Sequence, residues 1–263
     1  MRIIQLLSSW AGWCPMKAAA SGRMQEGIMS PDGTSSGQAG PTEARANLFS
    51  SLKWLVAELS YIVAFLFLPF LPEQIPVHWN LLGEPDGFAG RSIGAFGLPI
   101  IITLTTLFFT LLPRVGKMQS AIRRSWDIYQ IVTFSVVTLI FVMEVTTLLI
   151  SEGMDIPVSI IFPMFLGLLL IVIGSFMPYT GRNPILGIRL PWTLRDDEIW
   201  RRTHEMGGPA FVGAGAVIVL VSPMAGDLAL IMMLLILAIV TLYTTIYSYR
   251  ISQEKMSELG NYD

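Results

Sequence analysis

Residues 156–181 read IPVSIIFPMFLGLLLIVIGSFMPYTG, a run of 26 without a single Asp, Glu, Lys or Arg. At 1.5 Å per helical residue, about 20 apolar residues cross the roughly 30 Å of hydrocarbon in a bilayer, so this run has the length of a membrane span. Working outward, the windows 92–113, 128–143, 206–226 and 228–249 are likewise free of charge. A further apolar stretch, Leu52 to Leu71, contains Glu58, and the window after Ile128 passes Glu144 to reach full length. Over the 263 residues, 53% are hydrophobic and only 14% charged, against roughly 25% charged in soluble domains. These figures exclude a soluble domain. They predict an all-α polytopic membrane protein with six transmembrane helices at 52–71, 95–113, 128–150, 157–178, 208–223 and 228–249. Gly207, Gly208, Gly213 and Gly215 lower the helix propensity of the fifth, yet small residues also suit closely packed membrane helices.

The placement of the basic residues predicts orientation. With the N-terminus inside, 16 of the 17 Lys and Arg fall on the cytosolic side and only Arg91 lies outside. Such an excess marks cytoplasmic loops, giving an N-in, C-in protein of the plasma membrane. Cys14 is the one cysteine and can form neither an internal disulfide nor a cysteine metal site. His78 and His204 fall on opposite sides, and His204-Glu205 lacks the second histidine of a zinc-protease helix. No metal and no cofactor is expected. Residues 1–46 are rich in Ser, Gly, Ala, Pro and Thr and read as a disordered extension; Arg2 to Trp13 makes a weak signal peptide, and translation starting at Met24 or Met29 is the competing reading. Next come a two-helix module, 47–127, with outer loop 72–94, a four-helix domain, 128–250, with cytosolic loop 179–208, and a cytosolic tail, 251–263.

Two loops carry more pattern than connectors need. In the outer one, Ile75, Val77 and Trp79 alternate with Pro76, His78 and Asn80, which suits a short extended segment with one apolar side. Glu84-Pro85-Asp86-Gly87 has the residue order of a type I turn. His78, Asn80 and Asp86 form either a ligand or ion site or the polar cap of a structured loop. In the cytosolic loop, Thr193 followed by Asp196 fits a capping signature, with Asp197–Arg201 and Glu198–Arg202 pairs at i, i+4. Ile199, Trp200, Thr203 and Met206 share a face, so an amphipathic helix lying at the membrane surface is expected. Gly181, Asn183-Pro184, Gly187 and Pro191 impose turns before it. Arginines and acids nearly balance there, which disfavours direct nucleic-acid binding. The segment is either an interfacial linker or a docking surface for a cytosolic partner.

Glu58 and Glu144 fall inside predicted helices, each about 7 Å from the midpoint on opposite sides. An ionised acid at the bilayer centre costs about 2.5 kcal/mol or more, so each is expected to face the bundle, carry a proton or reach water. No Lys or Arg is predicted within the membrane to pair with them.

Two segments resemble known ones. The outer stretch LPEQIPVHWNLLGEPDGFAGR, through Ile75-Pro76, His78, Asn80, Gly83 and Asp86, is similar to a short membrane module of unknown function that often precedes the SdpI domain. The inner stretch GRNPILGIRLPWTLRDDEIWRRTHEMGG resembles the signature of the SdpI family of bacterial integral membrane proteins, through Asn183, Gly187-Ile188-Arg189, Pro191-Trp192-Thr193, Trp200, His204 and Gly208. The resemblance covers roughly residues 52–250 and implies an immunity and signalling protein. A secreted peptide toxin would be sensed by the outer loop with His78, Asn80, Gly83 and Asp86. A cytosolic transcriptional repressor would be held by the inner loop with Asn183, Gly187, Arg189, Pro191, Trp192, Thr193, Trp200 and His204. The lipid bilayer is the remaining partner, and no catalysis is implied. The competing hypothesis is a small proton- or ion-coupled transporter working through Glu144 and Glu58. An enzymatic role for His204 and Glu205 ranks third, because a helix explains both without chemistry.

Overall fold

The computed structural model describes residues 41–116 and 118–260. The expected disordered extension and its start codons therefore lie outside the described residues, except that 41–46 already belong to the first helix. In hydrocarbon every backbone N–H and C=O must find a partner within its own segment, so the apolar windows become helices. These are α1 (Pro41–Phe67), α2 (Arg91–Leu111), α4 (Trp126–Ser151), α5 (Val158–Phe176), α6 (Asp197–Ala225) and α7 (Ala229–Gly260), with a short α3 (Met118–Arg123) between α2 and α4. Asn47–Phe67, Arg91–Arg114, Trp126–Ser151 and Val158–Tyr179 are each long and apolar enough to span a bilayer. So is the helical stretch Asp197–Glu258, which a turn at Gly226–Leu228 divides into α6 and α7. Leu55, Leu104, Leu220 and Ile239 are exposed, as lipid-facing positions are.

The helices pack in two groups joined through α4 and α5. Ala57 of α1, Ile102 of α2 and Val137 of α4 form one buried cluster. Leu71, Ile75, Ala95 and Leu148 form a second at the end of the same three helices. In the other group, Leu170 of α5, Ile218 of α6 and Met233 of α7 meet.

The structure corrects three expectations. The interfacial helix and the fifth span are one continuous helix, α6, which runs through Gly207, Gly208 and Pro209. Gly208 and Gly215 set its distance from α5, while Gly207 makes room for Ile188 of the preceding loop. A Cβ on Gly208 would stand 2.7 Å from the Gly174 carbonyl oxygen, and one on Gly215 3.0 Å from the Ile171 nitrogen. Contact between helix backbones offsets the weak propensity.

The outer loop, secondly, is a two-stranded antiparallel hairpin, β1 (Gln74–Trp79) and β2 (Pro85–Gly90). Its turn lies at Asn80–Gly83, with the Gly83 N–H donating to the Asn80 carbonyl at 3.0 Å, whereas Glu84-Pro85-Asp86-Gly87 enters the second strand. Register shifts at Pro76/His78 and His78/Trp79 break the expected alternation, so Ile75 and Pro76 are both buried while Val77 is exposed.

Thirdly, the ion pairs of α6 differ from the expected set. Arg201 joins Glu198 and Glu205, Arg202 reaches Glu254 of α7, and Asp197 pairs with Arg182 of the preceding loop.

Candidate functional site

The hairpin and the arginine-rich loop occupy opposite ends of the bundle: Gly83 meets Ser159 at the start of α5, and Gly208 meets Gly174 near its end. His78 and His204 are thus far apart.

At the hairpin end, Leu71 and Ile75 anchor the strands on Ala95 and Leu148. Gly83 adopts φ +81°, and a Cβ there would stand 2.7 Å from the Ser159 Cβ, so the turn sits directly on α5. Asn80 is spent on the turn. Its Oδ1 accepts from the backbone N–H of Leu82 at 2.9 Å and of Glu84 at 3.1 Å, and its Nδ2 donates to the Glu84 carboxylate at 2.9 Å. His78 and Asp86 are brought together across the strands, Nδ1 to Oδ1, at 2.5 Å. Their side chains stay 72% and 45% exposed. Val77, Leu81, Leu82 and Phe88, exposed on the same hairpin, complete an accessible surface of apolar groups around one polar pair.

At the other end, the loop between α5 and α6 is held by side chains that bond its own backbone. Asn183, buried, accepts from the N–H groups of Ile185 at 2.9 Å and Leu186 at 2.6 Å, the geometry of an Asx turn. Gly187 follows at φ +105°, and a Cβ there would land on the Nε2 of His204. His204 is 1% exposed. Its Nε2 accepts from the Ile188 N–H at 2.9 Å and its Nδ1 donates to the Trp200 carbonyl at 2.8 Å, so the ring is the neutral Nδ1–H tautomer. Trp200 stacks on the imidazole with ring centroids 4.0 Å apart and donates its Nε1–H to the Thr180 carbonyl at 2.7 Å. The Thr193 hydroxyl accepts from Leu190 N–H and faces the Ile188 carbonyl at 2.8 Å.

The C-terminal helix closes this end. Trp192 donates to the Ser248 hydroxyl at 2.6 Å and packs its edge against Tyr249. Asp196 caps α6 through the N–H groups of Glu198 and Ile199 and also receives Lys255 at 2.7 Å. The Lys255 ammonium, with the cap bonds, holds the Asp196 carboxyl below its ordinary value. Thr193, expected as part of the cap signature, serves the preceding turn instead. Arg189, Pro191, Leu194 and Arg195 remain exposed on the loop.

The two intramembrane acids separate. Glu58 is exposed, off the buried stripe of α1, and does not face the bundle. Glu144 is 1% exposed, with the Ser60 hydroxyl of α1 beside its carboxyl and no ion-pair partner among the described residues. The sequence reading overlooked Lys53, which is fully buried within the span Asn47–Phe67 and donates to Gln130 at 2.7 Å and Thr133 at 3.0 Å. Its signal was its spacing: Lys53, Ala57, Ser60 and Ala64 recur at helical intervals on one face, all buried.

A bundle of apolar helices with a polar hairpin at one end and a braced loop at the other defines a multi-pass protein of the plasma membrane. Residues 180–248 match the model described as the SdpI/YfhL protein family, and residues 55–103 match a domain of unknown function, DUF1648. The chain is 23% identical over 195 residues to "Immunity protein SdpI" of Bacillus subtilis (strain 168), covering 74% of this chain and 91% of that one. It is 29% identical over 51 residues to the "Uncharacterized membrane protein YbgB" of the same organism, covering 19% of this chain and 56% of the relative. No solved structure matches. The protein is therefore a multi-pass membrane protein whose residues 180–248 are similar to the SdpI/YfhL family, and both segments singled out by their residues fall within the stretches that the two family models match.

Proposed function

We propose that the protein is an SdpI-like immunity and signalling protein, giving resistance to a secreted peptide toxin at the hairpin and holding a cytosolic transcriptional repressor at the arginine-rich loop. The observation that carries the reading is the accessible His78–Asp86 pair set among exposed Val77, Leu81, Leu82 and Phe88. A surface of this kind suits an amphipathic peptide, whose apolar side chains meet the aliphatic groups while its charges meet the pair. Similarity to an immunity protein along 91% of that relative's length supports it, and the N-in orientation expected from the basic residues puts the hairpin outside. The loop residues a repressor would touch are Arg189, Pro191, Leu194 and Arg195, presented by the turn at Gly187 and the buried frame of Asn183, Thr193, Trp200 and His204. Expression in cells sensitive to a peptide toxin is expected to raise survival, and Asp86→Ala to remove the protection at unchanged protein level. Unchanged killing by every related toxin would overturn the reading.

A second reading, ion-coupled transport, rests on Glu144, a buried acid within a span that has the Ser60 hydroxyl beside it but no ion-pair partner among the described residues. Proteoliposomes holding the full chain should then show a proton or sodium flux that Glu144→Gln abolishes. Absence of flux for both ions would remove this alternative.

A further inference from the structure

At the arginine-rich end, α4, the end of α5, α6 and the braced loop line a half-open cavity of about 260 Å3. Ile128 and Val132 line it from α4, Ile173 from α5, Phe211 from α6, and Ile185 and Ile188 from the loop. Ile128 is the third residue of the span Trp126–Ser151, and Ile173 lies six residues before the end of the span Val158–Tyr179. The cavity therefore sits at the ends of these spans, reaching from the loop to within about two helical turns of their termini. Water finds few hydrogen-bonding partners on such a lining, whereas an aliphatic chain fits it.

Moving a chain from bilayer into an apolar cavity exchanges one apolar surrounding for another, so selectivity has to come from the headgroup. The basic groups at the rim are suited to supply it. Arg189, next to Ile188, donates a single bond from Nη1 to the Pro184 carbonyl at 2.8 Å, leaving its other N–H groups available. Arg123 and Arg124, exposed, stand about one turn before Ile128. None of these three arginines makes an ion pair among the described residues, whereas Arg182, Arg201 and Arg202 at the same end each hold a carboxylate. Asp127 is the acid beside this rim, and it has an interaction of its own. Trp126, stacked on Tyr129 with centroids 5.8 Å apart, marks the boundary level where amphipathic rings reside.

We propose that this cavity and its rim bind one anionic phospholipid, with an acyl chain against Val132 and Phe211 and the phosphate on Arg189 and Arg124. Guanidinium groups take phosphate in paired, charge-assisted bonds, and basic sites between helices at a membrane surface select anionic headgroups. The site does not depend on a toxin or a repressor.

The test uses the purified full chain in detergent, with phosphatidylglycerol and phosphatidylcholine of identical acyl chains. Phosphatidylglycerol is expected to raise the unfolding temperature saturably and to give a one-lipid adduct by native mass spectrometry, and phosphatidylcholine to do neither. Val132→Trp, which fills the cavity, should remove the adduct. Arg124→Gln with Arg189→Gln should weaken phosphatidylglycerol binding about tenfold or more, the equivalent of one or two charge-assisted bonds. Equal effects of the two lipids would overturn the proposal. So would an adduct that survives Val132→Trp in folded protein, and, should that variant not fold, an unchanged preference in the double arginine variant.

Discussion

The hairpin and the arginine-rich loop are equally distinctive as sequence but differ in what their side chains are doing. In the loop, Asn183, Thr193, Trp200 and His204 are buried, and their polar atoms bond the backbone of the same segment or the helix it leads into. In the hairpin, His78 and Asp86 bond each other and remain largely in water. Buried polar groups must be satisfied, and a network that satisfies them specifies one backbone shape. An exposed pair adds little to stability and leaves its chemistry open to a ligand. Distinctive residues thus mark shape at one end and accessible chemistry at the other, so substitutions should act on stability in the loop and on recognition in the hairpin.

The largest effect is expected at Gly187. Alanine there would combine a left-handed backbone with a Cβ placed on the His204 ring, which must then leave the Ile188 N–H. Strain and a lost buried hydrogen bond together cost about 3 kcal/mol or more. Thermal unfolding in detergent should show a large fall in midpoint, and a shift within error of wild type would break the comparison.

His204 tests the same contact from the other side. His204→Ala would leave the Ile188 N–H without its acceptor and open a gap beside Trp200, at a cost of about 2 kcal/mol. An unfolding midpoint within error of wild type would mean that the ring is not held as the structure places it.

Trp192 ranks next. Trp192→Phe keeps much of the contact with Tyr249 but gives up the bond to Ser248, at a cost of about 1 kcal/mol. A loss as large as that of Gly187→Ala would show that docking of α7 on the loop contributes more than the internal frame does.

This gradation was partly legible from residues. The spans were, because bilayer thickness imposes a length and charge marks the ends, as 156–181 shows against α5 and the span Val158–Tyr179. Continuity of α6 was not, because Gly207, Gly208 and Pro209 read locally as breakers and only the proximity of α5 shows what the glycines are for. Of His78, Asn80 and Asp86, expected as one polar group, the structure joins His78 to Asp86 and gives Asn80 to the turn, which lies before the expected Glu84–Gly87. Asn80 and Gly83 form it, while Pro85 and Gly87, turn formers by local preference, are drawn into the strand pairing. Charge alone puts Lys53 on the aqueous side, whereas its position on the stripe with Ala57 and Ser60 places it inside, against Gln130 and Thr133. In each case a contact far away in the chain overruled a local preference.

The smallest effect on stability is expected at Asp86, and it tests the other side of the comparison. Asp86→Asn preserves size and removes the charge that meets His78. Because both side chains are largely exposed, solvent already screens the pair, and the unfolding midpoint should move by no more than about 0.5 kcal/mol equivalent. If the hairpin presents chemistry to a peptide, the same substitution should still lower protection in the survival assay, since a bound peptide excludes the water that screens the pair. A stability loss comparable with that of Trp192→Phe would instead place Asp86 among the shape-holding residues, and the hairpin would then differ from the loop only in exposure.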